Sequence, residues 1–308
     1  MKRPVLLMTA GAAAAAAALA PGFTPSAEIP MTAPVRPGLH FLDRSEGRIA
    51  YTDEGTGPLV VMVPGLGDLK EEYRFLAPRL VAAGFRAVTM DIRGHGESST
   101  GWSDHTSSAL GSDVVALVRH LNAGPATVIG TSMGAGAAAW AAAEAPDAVS
   151  GLVLIGPFVR EVPMARWKKV LFKAIAHTAF VGPWAPSAWG MYYASLYPTA
   201  QPADFDEYRA RLVANLKEPG RMGALQAMLA ASKADVEARL GEIRSPALVL
   251  MGTKDPDFDD PAVEAETVAR LLKGRPLMID GAGHYPHAEM PERTAPAILD
   301  FLARAPEA

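Results

Sequence analysis

Ala126-Thr-Val-Ile-Gly-Thr-Ser132-Met-Gly-Ala-Gly136 is the stretch from which the fold is read. A short apolar run at 126–129 leads straight into Gly130-Thr-Ser132-Met-Gly134. An alanine-rich segment follows and stops before Pro146. The order is strand, sharp turn, helix. Small residues at 130, 134 and 136 let such a turn close tightly and push the serine into a strained, exposed position. The first helical turn also brings free N–H groups and the positive end of the helix dipole close to Ser132. A plain glycine-rich turn with an incidental serine is the competing reading, and the flanking strand and helix argue against it.

The same rhythm extends on both sides. The all-apolar run 59–63 predicts a strand covered on both faces, ended by Pro64-Gly-Leu-Gly67. Residues 71–82 predict a helix closed by Gly84, and 85–90 a strand that delivers Asp91 to the turn-rich Arg93-Gly-His-Gly-Glu-Ser98. Apolar positions 114, 117, 118 and 121 set a helix over 110–121. Residues 149–155 make another strand, and 39–43 with 48–52 a strand pair at the start. After 156 the alternation stops for about eighty residues and then resumes, with strands at 247–251 and 277–279 and helices at 262–272 and 291–303. The interruption holds half of the chain's Phe, Tyr and Trp residues, among them Trp167, Phe172, Phe180 and Tyr197. Prolines at 183, 186, 198, 202 and 219 cut it into short helices. The expectation is an α/β protein: a mostly parallel central sheet flanked by helices, with a helical cap insertion above the carboxyl ends of the strands. The division is a leader at 1–34, a core at 35–155 and 236–308, and a cap at 156–235. Most cap aromatics are expected to pack internally. Trp184, Trp189, Tyr192 and Tyr193 are the candidates to line a substrate cavity.

Composition narrows the chemistry. A chain of 308 residues buries roughly 75% of its unfolded surface, ample for one large core. The absence of cysteine excludes a disulfide scaffold, a thiolate zinc site, an iron–sulfur cluster and a cysteine nucleophile. A net charge of −4 argues against a nucleic-acid partner. The amino end, Lys2-Arg3 followed by an apolar, mostly alanine run at 5–20, has the layout of a secretory signal and is too short for a confident membrane span. Export, a true start at Met31 and a retained tail all stay open, so localisation is secreted or cytoplasmic accordingly.

Ser132 needs a base, because its hydroxyl is a weak nucleophile unaided. The base should be a histidine held in one tautomer by a carboxylate. His284 lies in the glycine-punctuated Asp280-Gly-Ala-Gly-His284-Tyr-Pro, just past the last strand. His287 is its nearest competitor. His95 is read as shaping its own loop, and His40, His105, His120 and His177 as surface or packing residues. Asp255, in the loop after strand 247–251 and followed by a proline, is the candidate orienting acid. Asp257, Asp259 and Asp260 are expected to be solvated neighbours, and Asp280 to point away. One oxyanion donor should be the N–H of Met133 and the second that of Leu66, with glycines at 65 and 67 allowing close approach. Loss of one such donor costs about 3 kcal/mol of transition-state stabilisation.

With these residues in order, the chain resembles the alpha/beta-hydrolase superfamily, in its serine hydrolase branch with a helical cap. The resemblance covers residues 38–304 and rests on Val63-Pro-Gly-Leu-Gly67, Asp91-Ile-Arg93-Gly-His-Gly-Glu-Ser98, Gly130-Thr-Ser-Met-Gly134, Gly252-Thr-Lys-Asp255 and Gly281-Ala-Gly-His284. It implies Ser132 as nucleophile, Asp255 as acid, His284 as base, and Arg93 with its glycines as a brace for the oxyanion loop. Many members carry histidine before the glycine of that loop, where this chain has Pro64. Ser132 argues against the dehalogenases and epoxide hydrolases of the superfamily, which resemble one another in having aspartate at the elbow.

The expected activity is hydrolysis of a carboxylic ester or lactone of small to medium apolar size. C–C bond hydrolysis, aminopeptidase or amidase action, and cofactor-free perhydrolysis are the alternatives on the same three residues. A peptidase would need cap carboxylates such as Glu207, Glu218 or Glu237 near the site. A binding protein without turnover is a further reading that the intact Ser, Asp and His set disfavours. No metal or organic cofactor is indicated, because the glycines form no dinucleotide fingerprint.

Overall fold

A computed structural model of the chain describes residues 38–161 and 178–304. The leader at 1–34 lies outside the described residues, as do Trp167, Phe172 and His177. Eight strands form one sheet: β1 (Leu39–Arg44), β2 (Gly47–Glu54), β3 (Leu59–Val63), β4 (Arg86–Met90), β5 (Ala126–Thr131), β6 (Val149–Ile155), β7 (Ala247–Gly252) and β8 (Arg275–Ile279), in the order β1-β2-β4-β3-β5-β6-β7-β8. β1 and β2 pair antiparallel, β2 joins β4 antiparallel, and every pairing from β4 to β8 is parallel.

Every residue of β3, β5 and β7 is buried, as continuous apolar runs in a doubly covered sheet require. Alternate side chains feed two layers. Val61, Val63, Val128 and Leu154 pack with α2 (Ser107–Leu121) and α3 (Met133–Glu144). Val60, Met62, Ile129 and Val153 pack on the other face with Leu80 of α1 (Ala77–Ala82) and with Ile298 and Leu302 of the carboxyl-terminal helix Pro291–Arg304. Alanines 135, 137, 138, 139, 141 and 142 bury most of α3, so this helix sits directly on the sheet.

The helix expected over 71–82 is split. A 3₁₀ turn, Lys70–Tyr73, precedes α1. Tyr73 explains the break: its buried hydroxyl donates to Val63 O at 2.8 Å and lies 2.9 Å from Thr131 Oγ1. Pro78, in the first turn of α1, then restarts the helix at a position where a missing N–H costs nothing.

The chain steps from β3 to β4 on one side and returns to place β5 on the other side of β3. The carboxyl ends of β3 and β5 therefore flank the switch point of the sheet, where open α/β sheets bind ligands. The loop after β3 carries Gly65 to Gly67 and the turn after β5 carries Ser132. Asp91, at the end of β4, braces the chain just beyond that loop: its carboxylate accepts from Lys70 N (2.8 Å), Lys70 Nζ (2.9 Å) and Glu97 N (3.0 Å). Arg93, to which the resemblance assigned the brace, instead holds Asp113 at 3.0 Å and stacks over Trp102.

Between β6 and β7 the described residues form α4 (Ala185–Ser195), α5 (Phe205–Leu216), α6 (Arg221–Ala230) and the short α7 (Ala234–Glu237). This helical cap is clamped to the sheet domain. Arg74 grips Asp204 through two hydrogen bonds of 2.6 and 2.8 Å, a planar fork geometry that fixes orientation as well as distance. Arg221 Nη1 donates to Ser98 O at 2.6 Å.

Candidate active site

Ser132 is left-handed, at φ 56° and ψ −117°. A non-glycine residue in such a conformation carries on the order of 1–3 kcal/mol of strain and persists only where the surroundings over-determine it. Here they do. Ser132 N donates to Ile155 O at 2.8 Å, and Ser132 O accepts from Ala135 N and Phe158 N at 3.1 and 3.2 Å. The two motif glycines make the turn close. A Cβ on Gly130 would lie 2.3 Å from Gly134 O, and one on Gly134 would lie 2.3 Å from Val63 O. The backbone at 134 thus rests on the strand end that carries the Gly65–Gly67 loop.

Met133 opens α3, so its N–H has no partner within the helix. On the facing loop the Gly65 N–H is taken up by Glu72 Oε2 at 2.8 Å, which makes Leu66 the next amide along. A Cβ on Gly65 would lie 3.4 Å from Ser132 Cβ and 3.3 Å from Tyr285 Oη. A side chain at 65 would press on Tyr285 Oη and come into van der Waals contact with the serine.

His284 Nδ1 lies 2.8 Å from Asp255 Oδ2, and both side chains are buried. Asp255 comes from the loop after β7 and His284 from the loop after β8. Gly156, at the end of β6, leaves them room: a Cβ there would fall 2.9 Å from His284 Cε1 and 3.2 Å from Asp255 Oδ2. Burial disfavours a charged imidazole. The Asp255 charge and hydrogen bond, with Asp257 and Glu72 behind them, outweigh it and push His284 up to about 9. Phe158 ties the two halves together, bonding Ser132 O through its backbone and setting its ring 6.0 Å from that of His284.

Asp257 is not solvated. Its Oδ2 lies 3.8 Å from His284 Nδ1, and Tyr192 Oη donates to both of its oxygens, at 2.8 and 2.7 Å. Burial raises its carboxyl to about 6, against the opposing pull of His284. Asp260 is the N-cap of the helix Pro261–Leu271, accepting from Val263 N at 3.1 Å. Asp280 accepts from Thr253 Oγ1 at 3.2 Å.

His287 stands apart from Asp255. It stacks on Tyr73 with ring centroids 5.1 Å apart, and its Nε2 lies 3.0 Å from Glu72 Oε1, off hydrogen-bonding alignment. Burial lowers it to about 3, so it is neutral. Glu72 is fully buried and is raised by that burial to about 7. Nothing in its sequence marks it, since an acidic residue in a helix-like segment reads as surface. His95 is buried with Nδ1 2.9 Å from Arg93 O.

The four cap aromatics take different places. Trp189 is buried and its indole lies on the loop after β3, where a Cβ on Gly67 would come within 2.4 Å of it. Tyr192 reaches Asp257. Tyr193 sits in an aromatic cluster with Tyr197, Phe205, Tyr208 and Tyr285, its hydroxyl 2.9 Å from Tyr197 Oη. Trp184 lies at the surface, 37% exposed, with Nε1 donating to Thr178 O.

Asp255, Asp257 and His284 bring potential ligand atoms within 4.8 Å of one another. Nδ1 of His284, the nitrogen a cation would need there, is committed to Asp255. The cluster is arranged as a base with two acids. A serine on a strained turn, a histidine oriented by a carboxylate, and backbone donors on two facing loops can together perform nucleophilic acyl transfer.

The chain belongs to the alpha/beta hydrolase fold family, whose model matches residues 58–291. It is an enzyme of that fold, with hydrolase-type chemistry on small organic substrates. Over 279 residues it is 30% identical to the "Putative non-heme bromoperoxidase BpoC" of Mycobacterium tuberculosis, covering 83% of this chain and 97% of that one. It is 27% identical over 284 residues to the 2-(acetamidomethylene)succinate hydrolase of Mesorhizobium japonicum, covering 85% and 96%. Among solved structures, a thermophilic esterase from Thermogutta terrifontis superposes with a TM-score of 0.70 at 25% identity, covering 87% of this chain and 98% of that one. No helix among the described residues is long and apolar enough to cross a membrane.

Proposed function

We propose that this enzyme is a serine hydrolase whose acyl-enzyme passes its acyl group to water or to hydrogen peroxide. The observation that carries the reading is Ser132 held left-handed at the switch point of the sheet, with His284 and Asp255 hydrogen-bonded at 2.8 Å on the neighbouring strand ends. Ser132 Oγ attacks the carbonyl while His284 Nε2 takes the hydroxyl proton, and the oxyanion forms against the N–H groups of Leu66 and Met133. His284 then protonates the leaving group. In the second half His284 deprotonates the acceptor. Water yields the carboxylic acid; hydrogen peroxide yields the peracid, with its O–O bond intact, and free Ser132. A peracid oxidises bromide to hypobromous acid and itself becomes the carboxylic acid, so halogenation follows without a redox group in the enzyme.

The relationship to BpoC supports the peroxide branch, and the likeness to the Thermogutta esterase supports plain ester hydrolysis as the second reading. Trp189 against Gly67 supports a closed apolar pocket suited to small acyl groups. The test is one panel on one preparation: p-nitrophenyl esters of rising chain length, lactones, aminoacyl arylamides, a vinylogous β-diketone, and bromination of monochlorodimedone from acetate, bromide and peroxide. Short-chain ester hydrolysis together with bromination, both abolished by Ser132→Ala, is the expected result. Bromination that survives in Ser132→Ala would remove the acyl-enzyme from the halogenation route. Turnover confined to the diketone or the arylamides would replace this reading with C–C or amide hydrolysis.

A further inference from the structure

Asp255 is not the only carboxylate aimed at the base. Asp257 Oδ2 lies 3.8 Å from the same nitrogen, His284 Nδ1, and the Asp257 backbone N–H donates to Asp255 Oδ1 at 3.0 Å. Asp257 therefore holds the first acid by its backbone and faces the histidine with its side chain. Tyr192 of α4 donates to that side chain. One turn earlier on the same helix, Trp189 covers the oxyanion loop, with its ring 5.1 Å from that of Tyr192. Residues three apart share one helix face, so a single face of the cap touches both the oxyanion loop and the acid loop.

Resting on the serine-hydrolase reading, we propose that Asp257 is a second acid for His284, a positioning residue locked by the cap through Tyr192. In the intact enzyme Asp255 accepts the Nδ1 proton and Asp257 adds its charge behind it. When Asp255 loses its charge, Asp257 is close enough to orient the imidazole after a side-chain rotation, and Tyr192 sets how much of it is ionised. Among the described residues, the titratable groups around this proton are Asp255 and Asp257 from the loop after β7, Glu72 from the 3₁₀ turn, Tyr285 beside the histidine and Tyr192 from the cap.

The experiment measures ester kcat/KM from pH 5 to 10 in the full chain for Asp255→Asn, Asp257→Asn, the double variant and Tyr192→Phe. Thermal melts check that each is folded, and His284→Ala serves as the reference for loss of the base. Asp255→Asn should keep at least tenfold more activity than the double variant, a non-additivity expected of two groups serving one partner. Asp257→Asn should move the acid limb to lower pH, because it removes negative charge that favours the imidazolium, whereas Tyr192→Phe removes only a neutral donor and should not lower it. Equal activity in Asp255→Asn and the double variant, or an acid limb unmoved in Asp257→Asn, would overturn the second acid. Full activity in His284→Ala would instead overturn the serine-hydrolase reading itself.

Discussion

Ser132→Ala should lower kcat by about 10⁵-fold or more while leaving the fold intact. Removing the nucleophile of such a set takes away nearly all of the chemistry, and the residue that remains reflects binding and oxyanion stabilisation alone. The turn is held by backbone bonds to Ile155, Ala135 and Phe158, none of which uses the hydroxyl. Alanine keeps the Cβ and the left-handed strain, so the melting temperature should stay within a few degrees of the parent. Circular dichroism and a thermal melt, run beside ester turnover, check both halves. A collapsed fold in Ser132→Ala would mean that the hydroxyl carries structure that the backbone bonds do not.

Gly134→Ala should be strongly damaging for so small a change. The new methyl would lie 2.3 Å from Val63 O and 2.5 Å from Pro64 O. Both are main-chain atoms at the root of the loop proposed to hold the oxyanion, with no flexible side chain to give way. Overpacking against fixed backbone costs about 3 kcal/mol, which in a chain of this size lowers the melting temperature by roughly 10 °C. Relief of the clash pushes the Leu66 amide away from Ser132, so turnover should fall further than stability alone predicts. Gly241→Ala is the control: a Cβ there meets nothing within 4 Å, and both melt and activity should be unchanged.

Local pattern carried much of this architecture. The boundaries of β3 and β6 follow directly from their apolar runs, because a strand covered on both faces leaves no alternation to misread. The elbow was legible for a related reason, since the glycines at 130 and 134, two residues either side of the serine, leave the strand-to-helix turn room to close. What pattern could not carry is burial that long-range contacts create. Glu72 and Asp257 look like ordinary surface acids, yet one is closed over by the loop after β3 and His287, and the other by Tyr192 and His284. The break before α1 belongs here too. It exists because Tyr73 finds Val63 and Thr131, which lie 10 and 58 residues away. The same holds for the cap aromatics: composition placed them in one segment, and only packing separates the ring over Gly67 from the ring in the Tyr193 cluster.

The central claim is that Ser132, activated by His284 in the folded enzyme, is the nucleophile. Treating the native chain with a fluorophosphonate and mapping the adduct by peptide mass spectrometry tests it most directly. One phosphonyl group on the peptide containing Ser132 is the predicted result, absent after heat denaturation and absent in His284→Ala. A folded chain that stays unlabelled, or carries its adduct on another residue, would contradict it.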